Sequence, residues 1–163
     1  MNSVVQPAQN RRHHQPQRLG RPDKPDNGEL VLIRGLPGSG KSTMARVLAM
    51  VGYEHFEADM FFERDGAYVF DATRIKEAHA WCRNHASAAL ARGARVVVAN
   101  TFTRLAEMEP YFAMTSNIKV IEASGHWQSV HGVPEDKLLA MAARWEALPL
   151  QALSPEQPSP LRL

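Results

Sequence analysis

The nine residues from Gly35 to Thr43 carry the clearest chemical signal in the chain. They match the G-x-x-x-x-G-K-[ST] pattern of a phosphate-binding loop, or P-loop, in full. The glycines allow tight turns that aim backbone N–H groups at phosphate oxygens. We expect Lys41 to reach the β- and γ-phosphates and Ser42 to offer its hydroxyl to Mg²⁺. The predicted site for ATP or GTP with Mg²⁺ comprises Gly35, Leu36, Pro37, Gly38, Ser39, Gly40, Lys41, Ser42 and Thr43.

Two acids follow the next short segment of strand-like sequence. A phosphoryl-transfer enzyme needs a group that orients or deprotonates the acceptor hydroxyl. Glu57 and Asp59 are the candidates, and an acid at this point can face the γ-phosphate. We prefer Asp59, because the carboxyl end of the predicted strand should lie just before it, and we also expect it to help Ser42 with Mg²⁺. The alternative is that Asp59 is a solvated loop acid.

The third predicted strand ends without an acid. A P-loop ATPase usually has one there to hold Mg²⁺, whereas this chain has Ala99, Asn100 and Thr101. That argues against a motor-type ATPase. Stabilising the charge of a transferring phosphoryl group usually also requires an arginine. We choose Arg104 as the third catalytic residue beside Lys41 and Asp59, because it directly follows this strand, and the other arginines considered are Arg83 and Arg144.

Alternating strands and helices must position these residues. Apolar runs predict strands at Leu30–Arg34, Tyr53–Glu57, Val96–Ala99 and Ile118–Ile121. Helical spacing and caps predict helices at Lys41–Val51, at Ala72–Arg92 behind the N-cap Asp71, at Arg104–Thr115 behind Thr103, and from Pro134 to about Ala147. This order indicates an α/β chain, a three-layer P-loop NTPase fold with a small parallel sheet flanked by helices. Ligands of such sheets bind at the carboxyl ends of the strands.

Composition divides the chain into one domain and two tails. Residues 1–28 hold five basic and two acidic residues with few large apolar ones, so we expect a disordered basic tail. Residues 29–150 would form the kinase-like domain, and residues 151–163 a Pro-rich, irregular C-terminal tail. The domain itself is close to neutral, which indicates no strongly basic face for nucleic acid.

The single cysteine, Cys82, allows no internal disulfide and fits a reducing compartment. No apolar run approaches a membrane span, and the N-terminus has no apolar signal region. We therefore expect a cytoplasmic protein with no membrane partner. The sequence does not give the oligomeric state.

Five stretches in a fixed order resemble the small P-loop kinases related to the 5′-hydroxyl polynucleotide kinase of bacteriophages, including uncharacterised phage and bacterial ATP-binding proteins. They cover most of residues 29–147 and are Arg34–Thr43, Ala58–Phe62, Phe70–Asp71 with Ala78–Cys82, Asn100–Thr103 with Glu107–Tyr111, and His131–Pro134. The resemblance implies that Asp59 is the general base for an attacking hydroxyl. It also implies an acceptor such as a DNA or RNA 5′-hydroxyl end, with hydroxymethylpyrimidine bases of phage DNA or another small hydroxyl substrate as alternatives. For a phage protein the location would be the host cytoplasm.

The chain departs from that family in two places. The family has a lid before the His-Gly-Val-Pro segment that normally carries arginines, whereas Ser124–His131 has neither arginine nor lysine. His126 and His131 are the candidate cations there. The family often has an acid where Ala99 stands. These departures favour a second hypothesis, a nucleotide-binding switch or adaptor with little catalysis. A third, an accessory protein on nucleic acid, depends on the basic tail.

Overall fold

The computed structural model describes residues 28–127 and 132–149. Its strands are β1 (Leu30–Arg34), β2 (Glu54–Phe56), β3 (Glu63–Arg64), β4 (Ala67–Tyr68), β5 (Val96–Asn100) and β6 (Ile118–Glu122). Its α-helices are α1 (Lys41–Met50), α2 (Ile75–Ala91), α3 (Glu109–Phe112) and α4 (Glu135–Ala143). The Pro-rich tail, and the basic tail except Gly28, lie outside the described residues.

Four parallel strands form the central sheet in the order β2-β5-β1-β6. In β1, Leu32 pairs with Val98 on one side and with Val120 on the other. All four strands therefore end at the same edge, and the loops after β1, β5 and β2 lie side by side there. This arrangement confirms the α/β class and the small parallel sheet flanked by helices. β3 and β4 form a separate antiparallel hairpin.

Alternate residues of the central strands enter two different cores, as a strand covered on both faces requires. One core combines the even-numbered strand residues Leu30, Leu32, Val96 and Val98 with Cys82, Ala86, Ala89 and Leu90 of α2. The other combines Val31, Ile33, Val97 and Ala99 with Ala45 of α1. The sheet therefore lies between α1 and α2, which fixes the start of α1 against the end of β1.

The predicted long helix is present in two parts. A 3-10 turn at Ala72–Arg74 leads into α2. Asp71 caps this turn, because its side chain accepts hydrogen bonds from the Thr73 amide at 2.9 Å and the Thr73 hydroxyl at 2.6 Å. Gly93, at φ +78°, follows the last turn of α2.

The prediction of one helix over Arg104–Thr115 is wrong. The segment contains a 3-10 helix at Leu105–Glu107 and the four-residue α3. Pro110 has no amide hydrogen for a helix running through it, so a new helix starts with the proline in its first turn. Thr103 is not the cap: it is buried, and its hydroxyl accepts from the Arg144 guanidinium at 3.1 Å.

The last helix is shorter than predicted. It ends at Ala143 rather than near Ala147, and Pro134 is its N-cap rather than its first residue. Tertiary hydrogen bonds capture the chain beyond it: the Glu146 amide donates to the Thr103 carbonyl at 2.9 Å, and the Leu105 amide donates to the Glu146 carboxylate at 2.7 Å. None of the helices in the described ranges is long and apolar enough to cross a membrane.

Candidate active site

The P-loop connects the carboxyl end of β1 to the first turn of α1. A turn inside it is closed by the Ser39 amide, which donates to the Leu36 carbonyl at 3.0 Å. Gly40 precedes the helix with φ +92°, a conformation that favours glycine. In the described part of the chain no side chain caps α1. Its first amides are therefore available to an anion, as at other helix N-termini.

Lys41 points back into this loop. Its ammonium group donates to the Leu36 carbonyl at 3.1 Å. Burial lowers the pKa of Lys41, and the nearby carboxylates of Glu57 and Asp59 oppose that shift. A phosphate arriving here would add negative charge beside a partly desolvated cation, which is a favourable exchange for the lysine.

Glu57 is the first residue after β2 and faces the P-loop. It is 8% exposed. The Ser42 hydroxyl donates to its Oε2 at 2.9 Å, and its Oε1 lies 2.7 Å from Nε2 of His55. Both carboxylate oxygens are therefore held in place, and the acid is fixed against the P-loop serine.

Asp59 lies two residues further, in a 3-10 helix at Ala58–Phe62. The Tyr68 hydroxyl of β4 donates to its Oδ1 at 3.3 Å. Burial raises the pKa of Tyr68 to about 12, and the Asp59 charge and this hydrogen bond add to the effect. Tyr68 therefore remains a protonated donor at neutral pH.

Asn100, at the end of β5, links the two acids to the core. Its side-chain oxygen accepts from the Ala58 amide at 2.9 Å, between Glu57 and Asp59. Its amide nitrogen lies 3.6 Å from Sγ of Cys82, which also receives the Tyr111 hydroxyl at 3.6 Å. Burial raises the pKa of the Cys82 thiol, so this cysteine is a buried neutral partner and not a nucleophile.

One cavity of about 740 Å³ brings these groups together. Its floor combines the P-loop with both acids, Asn100 and Thr101. Its walls are mostly apolar or aromatic and include Tyr68, Phe70, Ala72, Ile75, Trp127, Val133, Pro134 and Met141. Lys137 of α4 and His79 of α2 also line it, and burial lowers the pKa of His79.

Trp127 lies over the P-loop. Its amide donates to the Gly38 carbonyl at 2.8 Å, and the Gly125 amide donates to the Ser39 carbonyl at 3.2 Å. A Cβ at Gly40 would lie 2.9 Å from the indole ring. Trp127 is 68% exposed and lines the cavity.

The cavity gathers most of the predicted site residues. Lys41, Ser42, Glu57 and Asp59 all line it, as do Pro37, Gly38, Gly40 and Thr43 of the loop. Gly35, Leu36 and Ser39 belong to the loop but do not line the cavity. Ser39 is buried, and a Cβ at Gly35 would lie 2.3 Å from its hydroxyl.

The candidate cations described by the structure, apart from Lys41, do not line the cavity. Arg104 is exposed, lies before the 3-10 helix at Leu105–Glu107 and does not line the cavity. His126 is exposed and also does not line it, and His131 lies outside the described residues. Lys137 is the described cation that joins Lys41 in the cavity walls.

Sequence reasoning missed the walls of the cavity. Tyr68 belongs to the β3–β4 hairpin, and Phe70 follows it. This hairpin was not predicted. The Asp65-Gly66 pair, both at positive φ, was the available signal for its turn. Lys137 and Met141 are four residues apart on α4, and that spacing places them on one helix face.

A smaller cavity of about 280 Å³ adjoins the same acids. Ser42, Glu57 and Asp59 line both cavities, and Arg46, His55, Met60 and Glu63 complete the smaller one. In the described ranges no cluster of three or more histidine, cysteine or acidic side chains forms a metal site by itself. The donors beside the P-loop are one hydroxyl and two carboxylates, which suit Mg²⁺ when phosphates and water supply its other ligands.

Comparison with known proteins agrees with this geometry. A family model described as an AAA domain matches residues 30–126, from β1 to the loop that carries Trp127. The chain belongs to this family. The matched part of this AAA domain includes the P-loop, both acids and Asn100.

Among curated proteins, human NEDD4-binding protein 2 is 33% identical to the chain over 133 residues. The match covers 72% of this chain but spans only 8% of the length of that relative.

Two solved structures have the same fold at low identity. An unliganded sugar kinase from Janibacter sp. is 17% identical, with a TM-score of 0.58 over 75% of this chain and 80% of the other. A gluconokinase from Sinorhizobium meliloti is 19% identical, with a TM-score of 0.50 over 75% of this chain and 77% of the other. The AAA domain described here therefore has a P-loop kinase-like fold.

Proposed function

We propose that the protein is an ATP- and Mg²⁺-dependent phosphotransferase that moves the γ-phosphate of ATP, or of GTP, to a hydroxyl group, with a polynucleotide 5′-hydroxyl end as acceptor. The observation that carries the proposal is that one cavity is lined both by Lys41 and Ser42 of the P-loop and by Asp59. A donor phosphate bound to Lys41 and the first amides of α1 would lie in the same cavity as a carboxylate able to take the acceptor proton.

In the proposed reaction the acceptor oxygen forms a bond to the γ-phosphorus, and the bond from that phosphorus to the β–γ bridging oxygen breaks. The acceptor proton passes to Asp59, and ADP leaves. Ser42 and a carboxylate beside it would hold Mg²⁺, which would neutralise charge on the β- and γ-phosphates when bound. Lys41 binds the same phosphates, and Tyr68 orients the Asp59 carboxylate.

The cavity walls favour an acceptor that carries a base. Tyr68, Phe70 and Trp127 present aromatic side chains, and each base stacked on such a group contributes about 1–3 kcal/mol. Recognition of a sugar would depend on polar side chains around it, whereas the walls of this cavity are mainly apolar or aromatic. Modified bases within DNA and other small hydroxyl compounds remain alternatives with the same donor site.

The deciding experiment is transfer of labelled γ-phosphate to a panel of acceptors. The panel contains 5′-hydroxyl DNA, 5′-hydroxyl RNA, DNA with hydroxymethyluracil, nucleosides, gluconate and other sugars. We expect label at polynucleotide 5′ ends and ADP formation that requires the acceptor. Label found only on a sugar would contradict the proposed acceptor.

The Asp59→Asn variant tests the proposed base. Losing the proton acceptor should lower kcat about 10²- to 10⁴-fold, with nucleotide affinity retained because the P-loop is intact. Asp65→Asn is the matched control, because Asp65 lies in the exposed turn of the hairpin. An unchanged kcat for Asp59→Asn would remove Asp59 from the mechanism.

A second candidate function is a nucleotide-binding switch or adaptor with little catalysis. The small number of cations in the cavity favours it. Among the described residues, Lys41 and Lys137 are the lysine or arginine side chains that line the cavity. Tight binding of Mg·ATP without transfer to any acceptor in the panel would support it over the kinase.

A further inference from the structure

The acid facing the P-loop serine comes from an unexpected strand. At the end of β5, next to β1, Ala99 and Asn100 are neutral, and the Asn100 oxygen accepts a hydrogen bond from the Ala58 amide. Glu57, after β2, extends to Ser42 instead and receives its hydroxyl hydrogen at 2.9 Å. The negative charge beside the serine is therefore supplied one strand further from the P-loop than the end of β5.

This hydrogen bond leaves Ser42 suited to a cation. A serine hydroxyl has one hydrogen and two lone pairs. Because the hydrogen is directed to Glu57, the lone pairs of Oγ are free to face a metal ion. The second oxygen of Glu57 is held by His55 at 2.7 Å, so the carboxylate is fixed even when the site is open to solvent.

Glu57 and Asp59 have different environments. Glu57 is buried against the serine, whereas Asp59 is half-buried and is approached by Tyr68 from the apolar side of the cavity. The proposed reaction needs one acid to bind Mg²⁺ and another to accept the acceptor proton. Two carboxylates in different environments can each take one of these roles.

We propose that Glu57 is the acid that anchors Mg²⁺ at Ser42, in place of the acid that is absent from the end of β5, and that Asp59 serves the acceptor hydroxyl. The inference rests on the proposed nucleotide site. Mg²⁺ favours oxygen ligands and is usually bound through one or two carboxylates, water and substrate phosphates. Glu57 either coordinates the ion directly or holds it through a bridging water and the Ser42 hydroxyl.

The test measures ADP binding to the full chain by calorimetry, with Mg²⁺ and with EDTA, so that no turnover is needed. For the wild type we expect tighter binding with Mg²⁺. Glu57→Gln should lower that enhancement about 10- to 100-fold, as the loss of a group supporting a metal ligand does. Its affinity for ADP in EDTA should stay at the wild-type value, because Lys41 and the helix amides are intact.

Glu109→Gln is the matched control, because Glu109 is an exposed acid of α3 that lines neither cavity, and its enhancement should match the wild type. Manganese titrations followed by electron paramagnetic resonance give a second readout in the presence of ADP. Glu57→Gln should weaken Mn²⁺ binding, and Glu109→Gln should not.

The outcomes separate the two proposals. No ADP binding at millimolar concentration by the wild type would refute the nucleotide site itself. Binding with an unchanged Mg²⁺ enhancement in Glu57→Gln would overturn only the role of Glu57, and loss of the enhancement in Asp59→Asn alone would assign the ion to Asp59. If Glu57→Gln fails to fold by circular dichroism, Glu57→Asp decides: its shorter side chain should reduce the enhancement, and an unchanged value overturns the inference.

Discussion

At the scale of single residues, Asn100 has the most demanding position in the candidate site. Its side-chain oxygen satisfies the buried Ala58 amide, and so it sets the path of the backbone between Glu57 and Asp59. In the sequence, Asn100 was identified as a neutral residue in the place of an acid and as part of a stretch that carries the family resemblance. Its structural contact joins positions 42 residues apart, which no local pattern reveals.

Replacing Asn100 with alanine should destabilise the fold and disturb both acids. The Ala58 amide would be left buried without an acceptor, which costs about 1–3 kcal/mol. Urea unfolding measures the loss, and phosphate transfer should fall with it. Asn84→Ala, the same change at an exposed position of α2, should leave both quantities near the wild-type values. Equal stability of the two variants would contradict the role given to Asn100.

At the scale of elements, a short segment after α4 packs over a buried cation. Arg34, at the end of β1, is fully buried, and its guanidinium lies 3.9 Å from the centre of the Trp145 ring. The same group donates to the Glu146 carbonyl at 2.7 Å and lies 3.7 Å from the Glu122 carboxylate. The end of α4 is therefore attached to the strand that precedes the P-loop.

Trp145→Ala should loosen this attachment. A desolvated cation–π pair contributes about 2 kcal/mol, and its loss exposes Arg34 to water. We expect amide hydrogen exchange to accelerate in residues 135–146 while the central sheet keeps its protection. Trp145→Phe retains an aromatic face and should show a much smaller change. Uniform acceleration in sheet and helix alike would show that Trp145 supports the whole fold and not this attachment.

The elements with strong local signals were predicted correctly. The apolar strands, the P-loop followed by α1, and the capped start before α2 all follow from residue order and spacing. The hairpin and the broken helix after Arg104 were missed, because Pro110 and the Asp65-Gly66 turn were given too little weight.

The site was predicted as a set of residues, yet the pairing of Ser42 with Glu57 requires knowing that β2 ends at Phe56. That boundary depends on pairing with β5, and so on tertiary structure.

At the scale of the whole molecule, stability should depend on the protonation of His79. Burial lowers the pKa of this histidine from 6.5; the charge of Arg83 adds to that shift, and the charges of Glu107 and Asp59 oppose it. Between that lowered pKa and 6.5 the unfolded chain binds more protons than the folded chain. The free energy of unfolding should therefore decrease as the pH falls through 6.5.

Urea unfolding between pH 8 and pH 5.5 measures this dependence, and His79→Gln should reduce the slope. His126→Gln, at an exposed position, is the control and should retain the wild-type slope. Acids with a lowered pKa, such as Glu29, contribute only below about pH 4.5 and so fall outside this window. A slope in His79→Gln equal to that of the wild type would assign the dependence to other groups.

The two cavities have one further consequence. Ser42, Glu57 and Asp59 line both cavities, whereas Arg46 and Glu63 line only the smaller one. An ion that enters through the smaller cavity would reach the three shared side chains without passing the aromatic walls of the larger cavity or a nucleotide at the P-loop. We therefore expect the ion and the nucleotide to have separate entrances, so that one can be exchanged while the other stays in place.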